Sequence, residues 1–184
     1  MVTIEKLTQI IELPEGVTVE IKDRTIIVTG PNGNVSKKLT TKAIEIFVKE
    51  GKVIIAPKVK STRSEKCLVN TYNAHINNMI KGTQEPYVYK LKICSSHFPM
   101  SVKINGKDFV VSNFIGEKVT RNLKLKEGAD VQLDADVITV TSSNKEVAGQ
   151  VAADIEKLTR RPGFDKRIFM DGIYITMKAG VELK

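Results

Sequence analysis

Few side chains in this sequence could carry out chemistry, and their spacing limits what that chemistry could be. The histidines are His75 and His97 and the cysteines Cys67 and Cys94. Cys94-Ser95-Ser96-His97 has the C-x-x-H spacing of a metal-ligand pair, and a tetrahedral zinc site would need Cys67 and His75 to complete it. Those two lie eight residues apart on one predicted helix, and nothing in the sequence brings them to the second pair. The cysteines therefore read as small buried hydrophobes, His75 as a half-exposed helix residue and His97 as a hydrogen-bonded side chain beside Phe98-Pro99. TGPNGN, Thr29–Asn34, suggests a phosphate cradle but lacks the Lys-Ser/Thr pair and runs into strand-like VSKKLTT, so it reads as a turn between strands. Asp130, Asp134 and Asp136 cluster in a strand-turn-strand setting and read as a solvated surface. HExxH, GxSxG and GxGxxG are absent, so neither an enzyme nor a metal or cofactor site is expected.

Charge is the stronger signal. The 184 residues carry 29 Lys+Arg against 21 Asp+Glu, net +8, which points to an anionic partner. Lys58, Lys60, Arg63 and Lys66 stand against Glu65 at the start of one predicted helix; Lys157, Arg160, Arg161, Lys166 and Arg167 stand against Asp165 at the end of another. Lys157, Arg160 and Arg161 would also complement a helix C-terminus. Lys166 and Arg167 lie past the Pro162-Gly163 break, where no helix dipole remains to favour them, so the run suits a polyanion. With aromatics at 5% and no Trp, contact with the backbone of folded RNA is a better fit than a single-strand stacking groove.

The elements that must position these cations follow from periodicity. Val17–Lys22, Thr25–Gly30, Ala43–Lys49 and Lys52–Pro57 are β-branched runs separated by turn residues and predict an antiparallel sheet. A helix is predicted from about Ser61 to Lys81, with Thr62 and Glu65 at capping-box spacing, Leu68, Tyr72, Ile76 and Met79 on one face, and Gly82 as the stop. The pattern then begins again with Tyr87–Ile93, a hairpin turning at Asn105-Gly106, KVTRNLKLK and DVQLDADVITV. A second helix follows, with Ser143 and Glu146 as its capping box and Val147, Val151, Ile155 and Leu158 as its stripe.

Laying one half on the other at an offset of about 84 residues pairs Gly33, Val35 and Leu39 with Gly116, Val119 and Leu123, and Val53-Ile54 with Val137-Ile138. The fold class is thus α+β: two duplicated small domains, residues 1–84 and 85–184, each an antiparallel sheet packed on one helix. The junction near Gln84–Pro86 is short and partly apolar, so the domains are expected to be held rigidly. No apolar run approaches the roughly 20 residues of a membrane span. The N-terminal stretch lacks the pattern of a secretory signal, and the scarcity of cysteine fits a reducing, intracellular setting.

VTGPNGNVSKKL, HINNMIKGTQEPYVYKLKICSSHFPMSVKI, NFIGEKVTR and TRRPGFDKRIFMDGIYI, in this order and at these separations, resemble the archaeal and eukaryotic branch of the universal large-subunit ribosomal protein six family, called protein nine in eukaryotes. The resemblance covers most of the chain. It implies a structural, rRNA-binding constituent of the large ribosomal subunit, seated near the sarcin-ricin loop and the stalk base among neighbouring ribosomal proteins, where translational GTPases dock. It further implies a cytoplasmic location on the ribosome, with nucleolar passage if the source is eukaryotic. It carries Arg160, Arg161, Lys166, Arg167, Tyr174 and Lys178 over as RNA-facing; by residue type, Asp171 and Gly172 read as turn residues aiming the strand and Phe169 as core. Lys58, Lys60, Arg63 and Lys66 form a second candidate RNA-binding patch. A free-standing regulatory RNA-binding protein is the alternative; it would need surface aromatics, for which Tyr87 and Tyr89 are the available pair.

Overall fold

The computed structural model describes residues 7–49, 51–58, 62–165 and 167–183. The chain divides into two compact units, residues 1–86 and 87–184. In the first, the alternating runs form β1 (Gln9–Glu12), β2 (Thr18–Lys22), β3 (Thr25–Gly30), β4 (Gly33–Lys38), β5 (Ile44–Lys49) and β6 (Lys52–Pro57), followed by the helix α1 (Arg63–Gln84). In the second, β7 (Tyr87–Cys94), β8 (Ser101–Asn105), β9 (Asp108–Ser112), β10 (Arg121–Lys124), β11 (Asp130–Asp134) and β12 (Val137–Ser142) precede the helix α2 (Lys145–Leu158), and β13 (Gly172–Lys178) and β14 (Val181–Glu182) follow it.

The duplication is written in the strand order. In each unit the first strand pairs with the sixth and the sixth with the fifth, giving β1-β6-β5 and β7-β12-β11. The second, third and fourth strands make a separate sheet, β2-β3-β4 and β8-β9-β10, and every pairing is antiparallel. Among the described residues each half thus holds two sheets and a helix packed on them, a fuller form of the expected α+β unit. Burial along β6 and β12 follows the same alternation, so Val53 corresponds to Ile138, one residue on from the match made on sequence. The second unit extends its sheet, because β13 pairs with the other edge of β7.

The helices bury their apolar faces on these sheets. Val69, Tyr72, Ile76, Met79 and Ile80 of α1 pack with Ile26, Val28, Val53 and Ile55. Ala148, Val151, Ala152 and Ile155 of α2 pack with Leu91, Ile138, Val140 and Ile173. The stripe of α2 is centred on its small residues, with Val147 and Leu158 only partly buried, because alanines let the helix lie close to the sheet.

Local start and stop signals were overridden in two places. Gly82 does not end α1: it is buried inside the helix, which runs to Gln84 and is capped at Glu85. The β3–β4 turn makes a glycine stop unnecessary, since the Asn32 backbone N–H donates to Thr83 O at 3.0 Å and its side-chain amide to Gln84 O at 2.5 Å. The helix N-cap of α2 is Asn144, not Ser143; its side-chain oxygen accepts from Glu146 N at 3.0 Å. At the start of α1 the Thr62–Glu65 box forms as expected, with Thr62 N donating to the Glu65 carboxylate at 3.2 Å.

Candidate nucleic-acid interface

The second cationic cluster sits where α2 ends and the chain crosses to β13. Thr159, buried at the helix end, donates its hydroxyl to Glu156 O at 3.2 Å and accepts the Ile173 N–H at 2.9 Å, tying the end of the helix to the start of the strand. Between them lies a groove of about 470 Å³ whose lining includes Lys157, Arg160, Arg161, Phe164, Phe169 and Tyr174. Its carboxylates have partners: Glu156 accepts from Ile175 N at 3.4 Å, and Asp154 accepts from Gln150 at 2.7 Å and lies 3.8 Å from Lys126. Lys157 and Arg160 are exposed and, among the described residues, have no ion-pair partner. These two cationic side chains line the groove and are available to an anion.

The other arginines are engaged. Arg121 forks onto Glu117 at 2.9 and 2.7 Å, donates to Leu158 O at 2.7 Å and stacks 4.4 Å from the Phe114 ring centre, so it closes the C-terminus of α2. Arg161 lies 3.9 Å from the same Glu117 carboxylate and 4.3 Å from the Phe164 ring centre. The hydrogen bonds from Arg121, acting against a smaller effect of burial, hold the Glu117 carboxyl below its ordinary range. Arg167 is 90% exposed, yet its guanidinium bonds Asp165 at 2.8, 3.1 and 3.3 Å.

Asp171 is not a turn residue. It is buried and accepts from Ser96 N at 2.6 Å, Ser96 Oγ at 3.0 Å, His97 N at 3.1 Å and His97 Nδ1 at 2.7 Å. Burial alone would raise its pKa, but the donors from His97 and Ser96 together outweigh it and hold the carboxyl well below the usual range. The chain segment around Ser96 is thereby pinned to the start of β13. Gly172 opens that strand at φ 155°, and a Cβ there would lie 3.2 Å from the Tyr174 hydroxyl. Serine, histidine and aspartate meet here without forming a nucleophilic relay. Ser96 Oγ lies 3.4 Å from Nδ1, the same ring nitrogen that bonds Asp171, and a relay would need the opposite nitrogen.

Other expected positions divide. Phe169, read as core, is half-buried instead: its ring stacks on His97 and meets Phe164 edge-on. Tyr174 is half-buried, pairs across the sheet with Lys92 and folds back over Gly172, so it is not projected as a free contact. Lys178 is exposed at the far end of β13, four residues and roughly 13 Å along the strand from Tyr174, away from the groove. Lys60 and Lys166 lie outside the described residues. In the first unit Lys58 pairs with Glu45 at 3.2 Å, while Arg63 and Lys66 are exposed one turn apart on α1. Cys67 is exposed and Cys94 half-buried, which corrects their reading as buried hydrophobes. Tyr89 is 7% exposed and Tyr87 packs beside it on the α2 side of β7, so this pair is not presented to unpaired bases. Sequence reasoning missed Arg121 and Glu117; the signal for the first was its match to Lys37 at the repeat offset of about 84 residues.

Residues 13–86 and, separately, 98–172 match the family model described as "Ribosomal protein L6", a double match in step with the repeated strand order. The chain belongs to the ribosomal protein L6 family. It is 37% identical over 171 residues to the large ribosomal subunit protein uL6 of Haloquadratum walsbyi, covering 91% of this chain and 94% of that protein. It is 39% identical over 176 residues to the protein of the same name from Methanosarcina mazei, covering 96% and 99%. Membership in the archaeal branch of the L6 family makes the chain a ribosomal protein and not an enzyme.

Proposed function

We propose that the protein is a structural constituent of the large ribosomal subunit that binds its rRNA through the end of α2 and the loop after it, close to the sarcin-ricin loop and the stalk base. Neighbouring ribosomal proteins at the stalk base are its protein partners, and translational GTPases dock nearby. The observation that carries the RNA contact is the pair Lys157 and Arg160, which line the groove, are exposed and have no ion-pair partner among the described residues. The place on the subunit rests on the family resemblance of the motifs, above all Thr159–Ile175. Both relatives are archaeal, which gives no support to nucleolar passage and favours a cytoplasmic ribosome.

In this reading Arg160 and Lys157 replace counterions around phosphates, and Arg161 adds a planar fork as it lies along Phe164. Recognition is by backbone and shape, since the deep major groove of A-form RNA hides base edges. Arg63 and Lys66 give the first unit a second, smaller cationic face. The test is direct: the full chain is titrated with a labelled rRNA fragment containing the sarcin-ricin loop and with an unrelated rRNA hairpin of equal length. Tighter binding of the first is expected; equal affinity would remove the proposed location, and no binding of either would remove the RNA reading.

A further inference from the structure

The segment between α2 and β13 carries Arg160, Arg161 and Arg167 but has little regular structure, so its arginines must be held by side-chain contacts. One continuous set does so. Asp171 accepts two backbone and two side-chain donors from Ser96 and His97, fixing both the backbone and the ring of His97. The ring stacks on Phe169 with centres 4.9 Å apart at 29°. Phe169 meets Phe164 edge-on at 4.9 Å and 82°, and the Arg161 guanidinium lies 4.3 Å from the Phe164 centre. Glu117, 3.9 Å from Arg161, limits it from the other side.

We propose that His97 is a positioning residue for RNA binding: held by Asp171, its ring fixes Phe169 and Phe164 and so sets the direction of Arg161 before RNA arrives. The physical gain is preorganisation, because a long arginine already confined loses less freedom when it grips a phosphate. Two properties of histidine are used at once. Its Nδ1 side bonds the buried carboxylate, which sets the ring torsion, and its flat face supplies the stack. Neither aspartate nor phenylalanine alone would connect the β7–β8 segment to the cationic loop in this way.

The inference rests on the reading that Arg161 meets rRNA, and a double-mutant cycle on the full chain separates the two. Affinity for the labelled rRNA fragment is measured for wild type, His97→Ala, Arg161→Ala and the double variant, with thermal unfolding as a control. His97→Ala is expected to weaken binding about 3–10-fold in the wild-type background and less than about twofold when Arg161 is already alanine. Equal losses in both backgrounds would overturn the proposal. His97→Asn and His97→Phe keep it testable if the alanine variant does not fold: asparagine retains a donor toward Asp171 without a stacking ring, and phenylalanine retains the ring. Binding by the asparagine variant as weak as an Arg161→Ala protein, with phenylalanine partly restoring it, is expected; wild-type affinity for His97→Asn would overturn the role of the stack. If wild type itself ignores the fragment, the RNA reading fails first, a distinct result from wild-type binding that His97 does not influence.

Discussion

Arg160, Arg161 and Arg167 look equivalent in sequence, and the structure ranks them. Arg160 is exposed with no partner among the described residues, whereas Arg167 makes three side-chain bonds to Asp165 and Arg161 shares Glu117 with Arg121. A free cation that neutralises a phosphate contributes roughly 0.7–0.9 to the slope of log affinity against log salt. Removing one such contact by Arg160→Ala should make the wild-type-to-variant affinity ratio shrink about threefold between 50 and 200 mM salt. Arg167→Ala should change the slope less, because the lost charge was already partly offset by Asp165. Asp165→Asn should have the opposite sign: it frees Arg167, tightens binding and steepens the salt dependence. Anisotropy titrations of a labelled rRNA fragment at four salt concentrations give all the slopes. An unchanged slope for Arg160→Ala, with Arg167→Ala carrying the whole effect, would show that the pairings of the free protein do not rank the contacts.

Three further outcomes test the architecture that supports the groove. Asp171→Ala strands the His97 and Ser96 donors and should cost about 2–4 kcal/mol at neutral pH. Because the folded carboxyl titrates below its unfolded value, that stability is fully present above the unfolded pKa of about 3.9 and is lost as pH falls toward the lower folded value. Denaturant melts from pH 7 to pH 2 should therefore show the wild-type advantage shrinking in acid, and an advantage that grew there would contradict the geometry. Thr159→Val keeps the side-chain shape but leaves the buried Ile173 N–H without an acceptor, at about 1–3 kcal/mol, and hydrogen exchange at that amide should accelerate. Gly30→Ala would put a Cβ 2.7 Å from Thr83 Cβ and should destabilise the first unit by about 1–3 kcal/mol; adding Thr83→Gly should recover part of the loss in thermal unfolding.

The sequence made the strands and helices readable because β-branched alternation and the helical stripes are local patterns, and their repetition exposed the duplication. Gly82 and Asn144 show where local rules stop. A hairpin about 50 residues upstream supplies the donors that let α1 pass its glycine, and asparagine serves as the N-cap one position beyond the serine that fits the capping box. In the site, the clustering of Arg160 and Arg161 was visible, but the carboxylate beside Arg161 was not. Glu117 lies more than 40 residues before Arg161 in the chain, and the donors to Asp171 come from 74 and 75 residues away. Asp171-Gly172 fits the chemistry of a turn when read alone, and only the folded chain shows the carboxylate turned inward. Phe169 was recognisable as an apolar residue, although its use as a stacking surface for His97 depends on a contact between distant segments.

A built-in part of the large ribosomal subunit must travel with that subunit. Sucrose-gradient fractionation of a lysate from cells expressing the tagged full chain tests it most directly. Co-sedimentation with the large subunit, retained through a moderate salt wash, is the predicted result; recovery only in the free fractions at the top of the gradient would contradict it.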